Sequence, residues 1–211
     1  MFAGMHGLMK RIFPPEEVLE YSLWREPLED PSIHVYVAVV DGEVVGATEY
    51  RYNETLNVAM TDFTIIGKPG LSIGRFLLQR RERDLLAMAR AAGNELRGMF
   101  AEIYDPYRVE HYAFGGVKTM DPYVRREVLS HLGYMRLDFP YVHPSWENDG
   151  DDVQGLDLCF LPYAEQANEL PTELIHRFLS GYYSVLANKP EQWHAMMRDL
   201  QARDTVRLLP L

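Results

Sequence analysis

Between Thr61 and Leu78 the sequence reads TDFTIIGKPGLSIGRFLL. An apolar run stops at Gly67, passes Pro69, Gly70 and Ser72, and resumes with helical spacing at Ile73. A helix that starts there leaves its first backbone N–H groups without intrahelical partners, at the positive end of the helix dipole. Such a joint is a ready site for an anion, a phosphate above all, although a plain tight turn explains the same glycines without a ligand. Three carboxylates are the second hint of chemistry. Glu49, Asp62 and Glu102 each stand inside a run of β-branched and aromatic residues. A carboxylate in such a run is uncommon, and it either faces solvent on the open side of a sheet or takes part in proton transfer. The seven histidines show no i, i+4 pair and Cys159 is the only cysteine, so neither a metal centre nor an internal disulfide is expected.

The elements that would carry these residues follow from periodicity and turn chemistry. Met9 to Phe13 reads as a short strand, and Pro14-Pro15-Glu16-Glu17 opens a helix through Trp24. His34 to Val40 and Val44 to Tyr52 are strands joined at Asp41-Gly42-Glu43, a hairpin signal. Asn57 to Ile66 is a third strand. After the glycine loop, Ile73, Leu77, Leu78, Leu85, Met88, Ala89 and Ala92 form the stripe of a long helix that Gly93 ends. Leu96 to Tyr104 is a strand, Tyr107 to Asp121 an irregular segment long enough to suggest a functional loop, and Pro122 to Leu132 a helix stopped by Gly133. Tyr134 to Val142 and Leu156 to Leu161 read as two more strands. Two helices follow, one with Leu174, Ile175, Phe178, Leu179, Tyr182, Val185 and Leu186 on a face, the other marked by Trp193, Met196, Met197 and Leu200. The expected organisation is a main domain over residues 1–165 and a C-terminal helical extension over residues 166–211, which seals a sheet face or joins two copies as a homodimer. Hairpins first and helical crossovers later describe an α/β (α+β) fold with a mixed, mostly antiparallel twisted sheet flanked by helices.

Bulk properties narrow the partners. The net charge of −10 argues against nucleic acid, whose binding rests on neutralised phosphates. No apolar stretch approaches the roughly 20 residues that cross a bilayer, and the opening MFAGMHGLMKRIFPP lacks the apolar core of a signal peptide. A cytoplasmic protein without a membrane partner is the expectation.

From about Leu8 to Leu161 the chain resembles the GNAT superfamily of acyl-CoA-dependent N-acyltransferases. VYVAVVDGEVVGATEYRY is similar to that family's second and third strands, TDFTIIGKPGLSIGRFLL to its cofactor-binding strand, loop and helix, AEIYDP to the next strand end, and REVLSHLGYMRLDFPYV to its late helix and the strand after it. The family's loop carries Arg or Gln, two residues, Gly, one residue, then Gly or Ala. Pro69 to Gly74 matches only at Gly74. The resemblance implies transfer of an acetyl or other short acyl group from acetyl-CoA, with no metal, to the amine of a small molecule. It implies pantetheine contacts along Thr64, Ile65 and Ile66, an oxyanion donor at the N–H of Ile65 or Ile66, and phosphate contacts at Gly70, Leu71, Ser72, Ile73, Gly74 and Arg75. Arg80 and Arg81 are further candidates for the nucleotide phosphate. Asp62 and Glu102 are the candidate bases, because their strands flank the family's acyl-transfer cleft. The family's tyrosine acid, four residues before the glycine that ends the late helix, is Leu129 here. Either the thiolate leaves without a protein acid, the transfer chemistry is gone, or another group substitutes: Tyr141 is the candidate, with Tyr104 on another strand and Tyr123, Ser130 and His131 nearby in the sequence. The same residues also fit a repurposed GNAT-fold binding or assembly module, or an acyltransferase that takes its acyl group from a carrier protein.

Overall fold

The computed structural model describes residues 1–13, 18, 20–108, 121–146, 148–163 and 167–211. These form two compact units, the described residues up to Met99 and those from Phe100 onward.

The first unit is an antiparallel meander between two helices. Strands β1 (Ile33–Val40), β2 (Glu43–Asn53) and β3 (Val58–Ile66) pair in chain order. The β1–β2 turn places Asp41 and Gly42 at φ 51° and 81°, the left-handed pair that matches strand twist. Helix α1 (Phe2–Ile12) lays Met5, Leu8, Met9 and Ile12 on one face of the sheet, against Val44, Ala47 and Ile65. Helix α3 (Ile73–Ala91) sets Ile73 and Leu77 on Ala38 and Val45. A short helix α2 (Arg25–Glu29) precedes β1. The strand expected at Met9 to Phe13 is thus the end of α1: its apolar residues at i, i+3, i+4 and i+7 cover a sheet face, and that burial outweighs the local run of large side chains. Pro14 to Glu17 and Leu19, expected to start a helix, lie outside the described residues, and Tyr21–Leu23 is a 3-10 turn.

One irregularity in this sheet matters for chemistry. Glu49 pairs with Phe63 but Tyr50 pairs with Thr61, which leaves Asp62 as the extra residue of a β-bulge. The bulge turns Thr61 and Thr64 to the α3 side and leaves Phe63, with Glu49, on the α1 side.

The second unit holds most of β4 (Gly98–Tyr104), then α4 (Pro122–His131), β5 (Met135–Leu137), β6 (His143–Pro144), β7 (Asp152–Val153), β8 (Leu156–Pro162), β9 (Glu169–Pro171), α5 (Thr172–Tyr182), α6 (Glu191–Gln201) and β10 (Thr205–Pro210). Its sheet runs β4-β8-β5-β10-β9, antiparallel at β8–β5, β5–β10 and β10–β9. β6 and β7 form a separate two-stranded ladder. Asp121 caps α4 by accepting from the N–H groups of Tyr123 and Val124. Phe178 of α5 stacks on Phe100 of β4 at 4.1 Å, and Phe100 meets Phe160 of β8 at 4.7 Å, so α5 covers a sheet face. Two expectations change. The long strand read over Tyr134 to Val142 pairs only at Met135–Leu137, because Phe139 turns back to bond the Leu137 carbonyl and Pro140 has no N–H to give a ladder. The segment 166–211 is not purely helical, since its Thr205–Pro210 end is a strand between β5 and β9.

Candidate functional site

In the first unit the strand–loop–helix joint has the form its sequence suggests. Gly67 donates its N–H to the Val45 carbonyl at 2.8 Å. Successive residues of a strand point their N–H groups to opposite edges, so Ile65 addresses β2 and Ile66 addresses the other edge of β3. Ile66 is therefore the oxyanion candidate of the two. Past it, Gly70 takes φ 84° and Ser72 φ 54°, and Ser72 is the helix N-cap without capping through its side chain. Among the described residues, no protein group accepts from the N–H groups of Ile73, Gly74 or Arg75. The first turn sits close to the sheet because β2 carries Gly46 beneath it: a Cβ there would lie 2.5 Å from Ile73 Cγ2. Gly74 lies against Ile66, where a Cβ would come within 2.8 Å of Ile66 Cδ1. Leu71 and Arg75 are exposed. These residues can hold a diphosphate through main-chain donors. Gly70 to Gly74 also spell the Gly-x-Ser-x-Gly of a hydrolase nucleophile elbow, set between strand and helix with the serine at positive φ. An elbow needs a base on its serine, and among the described residues no histidine or carboxylate bonds Ser72.

The three arginines separate. Arg81 is only 4% exposed, and its guanidinium donates to the hydroxyls of Thr48 (3.1 Å), Thr61 (2.7 Å) and Thr64 (2.9 Å). It ties α3 to the sheet and is no phosphate ligand, since its place in the helical stripe points it inward. The Thr64 hydroxyl is engaged in the same cluster, so that residue offers a ligand its backbone alone. Arg80 lies over the Tyr36 ring at 4.8 Å and donates to its hydroxyl. Arg75 stays with the loop.

Asp62 lies beside two neighbours that a linear reading separates. Arg51 Nε stands 3.1 Å from Asp62, and its Nη2 3.9 Å from Glu49. Burial first, and the nearby Asp62 charge second, push the Glu49 carboxyl up to about 8, with Arg51 opposing.

In the second unit Glu102 and Tyr141 are bonded to each other. Tyr183, at the end of α5, also donates to Glu102 Oε1, and the two phenol oxygens stand 2.7 Å apart. His143 Nε2 is 3.3 Å from Glu102 Oε2. Burial would raise Glu102, but His143 and the two tyrosines outweigh it and hold the carboxyl below its ordinary value. Burial would likewise depress His143, and Glu102 reverses that, so the imidazole is raised. Burial and the Glu102 charge place the Tyr141 phenol well above its ordinary range, which makes it a reluctant acid. Tyr183 and His143 are the members that sequence reasoning missed. The aromatic run Tyr182-Tyr183 was a signal, but helical spacing assigned only Tyr182 to a face. Other aromatics of this unit pair separately: Tyr107 meets Tyr123 at 5.0 Å, and Trp146 packs on Tyr183 at 5.3 Å. Tyr112 and Phe114, with the rest of 109–120, lie outside the described residues. Leu129 is on α4 as expected, Ser130 belongs to the same helix, His131 Nδ1 contacts the Glu127 carbonyl at 2.8 Å, and the Tyr104 carbonyl accepts from Arg126. No metal-binding group of three ligands occurs among the described residues, and none of their helices is long and apolar enough to cross a membrane.

No protein-family model matches the sequence, and no curated protein matches it. Solved structures do match in fold. A protein described as a GNAT-family acetyltransferase from Bacteroides thetaiotaomicron superposes with a TM-score of 0.57 at 16% identity, over 88% of this chain and 90% of that one. A second so described, from Desulfovibrio desulfuricans, gives 0.51 at 19% identity over 77% and 92%. A third, described as an acetyltransferase from Staphylococcus epidermidis ATCC 12228, gives 0.50 at 11% over 78% and 93%. The fold is that of the GNAT acetyltransferases.

Proposed function

We propose that the protein is an N-acyltransferase that moves an acetyl or other short acyl group from coenzyme A to the amine of a small molecule. The observation that carries this reading is the β3–α3 joint, where the Ile66 N–H turns away from β2 just before a loop whose helix-start amides have no partner among the described residues. In this reading the main-chain donors from Gly70 to Arg75 bind the diphosphate, Thr64 to Ile66 align the pantetheine through their backbone, and Ile66 donates to the oxyanion as the amine attacks the thioester. Asp62 belongs to the group that receives the ammonium proton. Glu102 and Tyr141 are read as members of a structural network, because each is already committed to the other and to Tyr183 or His143. A small-molecule amine is favoured over nucleic acid by the net charge of −10, and a cytoplasmic setting by a single, free cysteine.

Isothermal titration with acetyl-CoA, paired with thiol release across a panel of primary amines, tests the proposal. Binding is expected, and Gly74→Trp, which drives a side chain into Ile66, weakens it at least tenfold (about 1.4 kcal/mol). The absence of heat at millimolar acetyl-CoA overturns the reading. Leu129 in place of a tyrosine favours a second one, a GNAT fold kept as a binding module; acetyl-CoA-dependent thiol release with any amine rules it out.

A further inference from the structure

We propose that Glu49 is the group that accepts the ammonium proton in the acyl-transfer centre, with Asp62 and Arg51 as the positioning residues that set its proton affinity. This rests on the acyltransferase reading above and gives the proton step a residue that a search along the β3 strand does not find.

Glu49 is 6% exposed and shares the α1 side of the sheet with Ala47, between Val35 of β1 and Phe63 of β3. Two carboxyls and one guanidinium meet there, and three such groups cannot all be ionised at low cost away from water. The bulge decides which carboxyl keeps the arginine: by adding one residue to β3 it brings Asp62 to Arg51 Nε at 3.1 Å, and Glu49 is left 3.9 Å from the same guanidinium. Asp62 is thereby the carboxyl in direct contact with the guanidinium. Among the described residues Glu49 accepts no hydrogen bond, so burial first and the Asp62 charge second, opposed by the distant arginine, raise its proton affinity to the range where a base works at neutral pH. Among the described residues, the charged and titratable groups that act on it are Asp62 on β3 and Arg51 on its own strand. Its β1 partner is Val35, and on α1 the titratable residue among the buried side chains, His6, is in ring contact with Phe2 and Tyr21.

The step balances. An ammonium R–NH3+ gives one proton to the Glu49 carboxylate, and the freed amine forms a C–N bond to the thioester carbon, whose oxygen takes the negative charge at the Ile66 N–H. The C–S bond then breaks, the second nitrogen proton leaves with the sulfur as the thiol, and Glu49 returns its proton to solvent. No protein acid is required, which agrees with a leucine at position 129. Glu49 pairs with Phe63 and Gly46 with Ile66, so three residues along the strand and one step between strands, about 11 Å together, separate the base from the oxyanion donor. The glutamate side chain, the incoming amine and one bridging water span that distance.

Two readouts test the assignment. In carbon-13 NMR of protein labelled at the glutamate and aspartate carboxyls, the wild type is expected to show one carboxyl titrating near pH 8, absent in Glu49→Gln. In Asp62→Asn the neighbouring negative charge is gone, so that titration moves down by a unit or more. The kcat/KM profile for amine acetylation is expected to rise with pH through the same midpoint, to shift to lower pH in Asp62→Asn, and to fall by about 100-fold or more in Glu49→Gln. No carboxyl titrating above pH 6.5 in the wild type overturns the proposal, and so does a Glu49→Gln protein that keeps the wild-type limb. If the wild type transfers no acyl group to any amine, the acyltransferase reading itself has failed, and the proposal falls with it.

Discussion

Gly46→Ala isolates what allows α3 to start where it does. The added Cβ would stand 2.5 Å from Ile73 Cγ2, 3.0 Å from the Ile65 carbonyl oxygen and 3.4 Å from Leu77 Cδ1. Ile73 can rotate, but Ile65 O belongs to the β2–β3 ladder and Leu77 is fully buried, so the strain passes to the first turn of α3. Overpacking of this kind costs about 1–3 kcal/mol. For a chain of 211 residues each kcal/mol lowers Tm by about 2–4 °C, so a fall of about 5 °C is expected, within a range of about 2–12 °C. Because the turn that lifts also carries the amides of Ile73 to Arg75, acetyl-CoA affinity falls with it. Scanning calorimetry with and without acetyl-CoA measures both. Gly70→Ala is the control: it meets no atom within 4 Å and is strained only through its φ of 84°, at about 1 kcal/mol. A Gly46→Ala protein whose Tm lies within 1 °C of wild type, with full acetyl-CoA affinity, would refute the packing argument.

Two further outcomes follow from the buried polar groups. Arg81→Met removes the guanidinium shared by Thr48, Thr61 and Thr64. It is expected to destabilise the fold by about 2 kcal/mol in urea denaturation while leaving acetyl-CoA affinity unchanged, and a selective loss of binding would return Arg81 to the phosphate site. His143→Phe tests the Glu102 pair through pH. The depressed Glu102 contributes stability above its ordinary 4.5 that is lost as pH falls, and the raised His143 contributes below its ordinary 6.5 and loses it as pH rises. The urea midpoint difference between wild type and variant is therefore larger at pH 5.5 than at pH 9, and equal differences would show that the two groups do not act as an ion pair.

Local order was legible because it rests on contacts between residues near in sequence. Alternation set β1, β2 and β3, the Asp41-Gly42 pair announced its hairpin, and Gly93 and Gly133 ended their helices at positive φ. The glycine loop and the unusual carboxylates Glu49, Asp62 and Glu102 were visible by residue type alone. Their roles were not, because each depends on a partner that the chain brings back from far away. Only the pairing of Gly67 with Val45 decides that Ile66, and not Ile65, turns its N–H away from β2. Only the one-residue slip opposite Glu49 gives Asp62 to Arg51. Tyr183 reaches Glu102 across 81 residues, and Arg81 turns inward, where three threonines from two strands accept from its Nη1. Residue types and their spacing determined which groups are present and on which elements. Register and burial, which are long-range properties, decided which of them meet and therefore which carry a proton, a charge or a ligand.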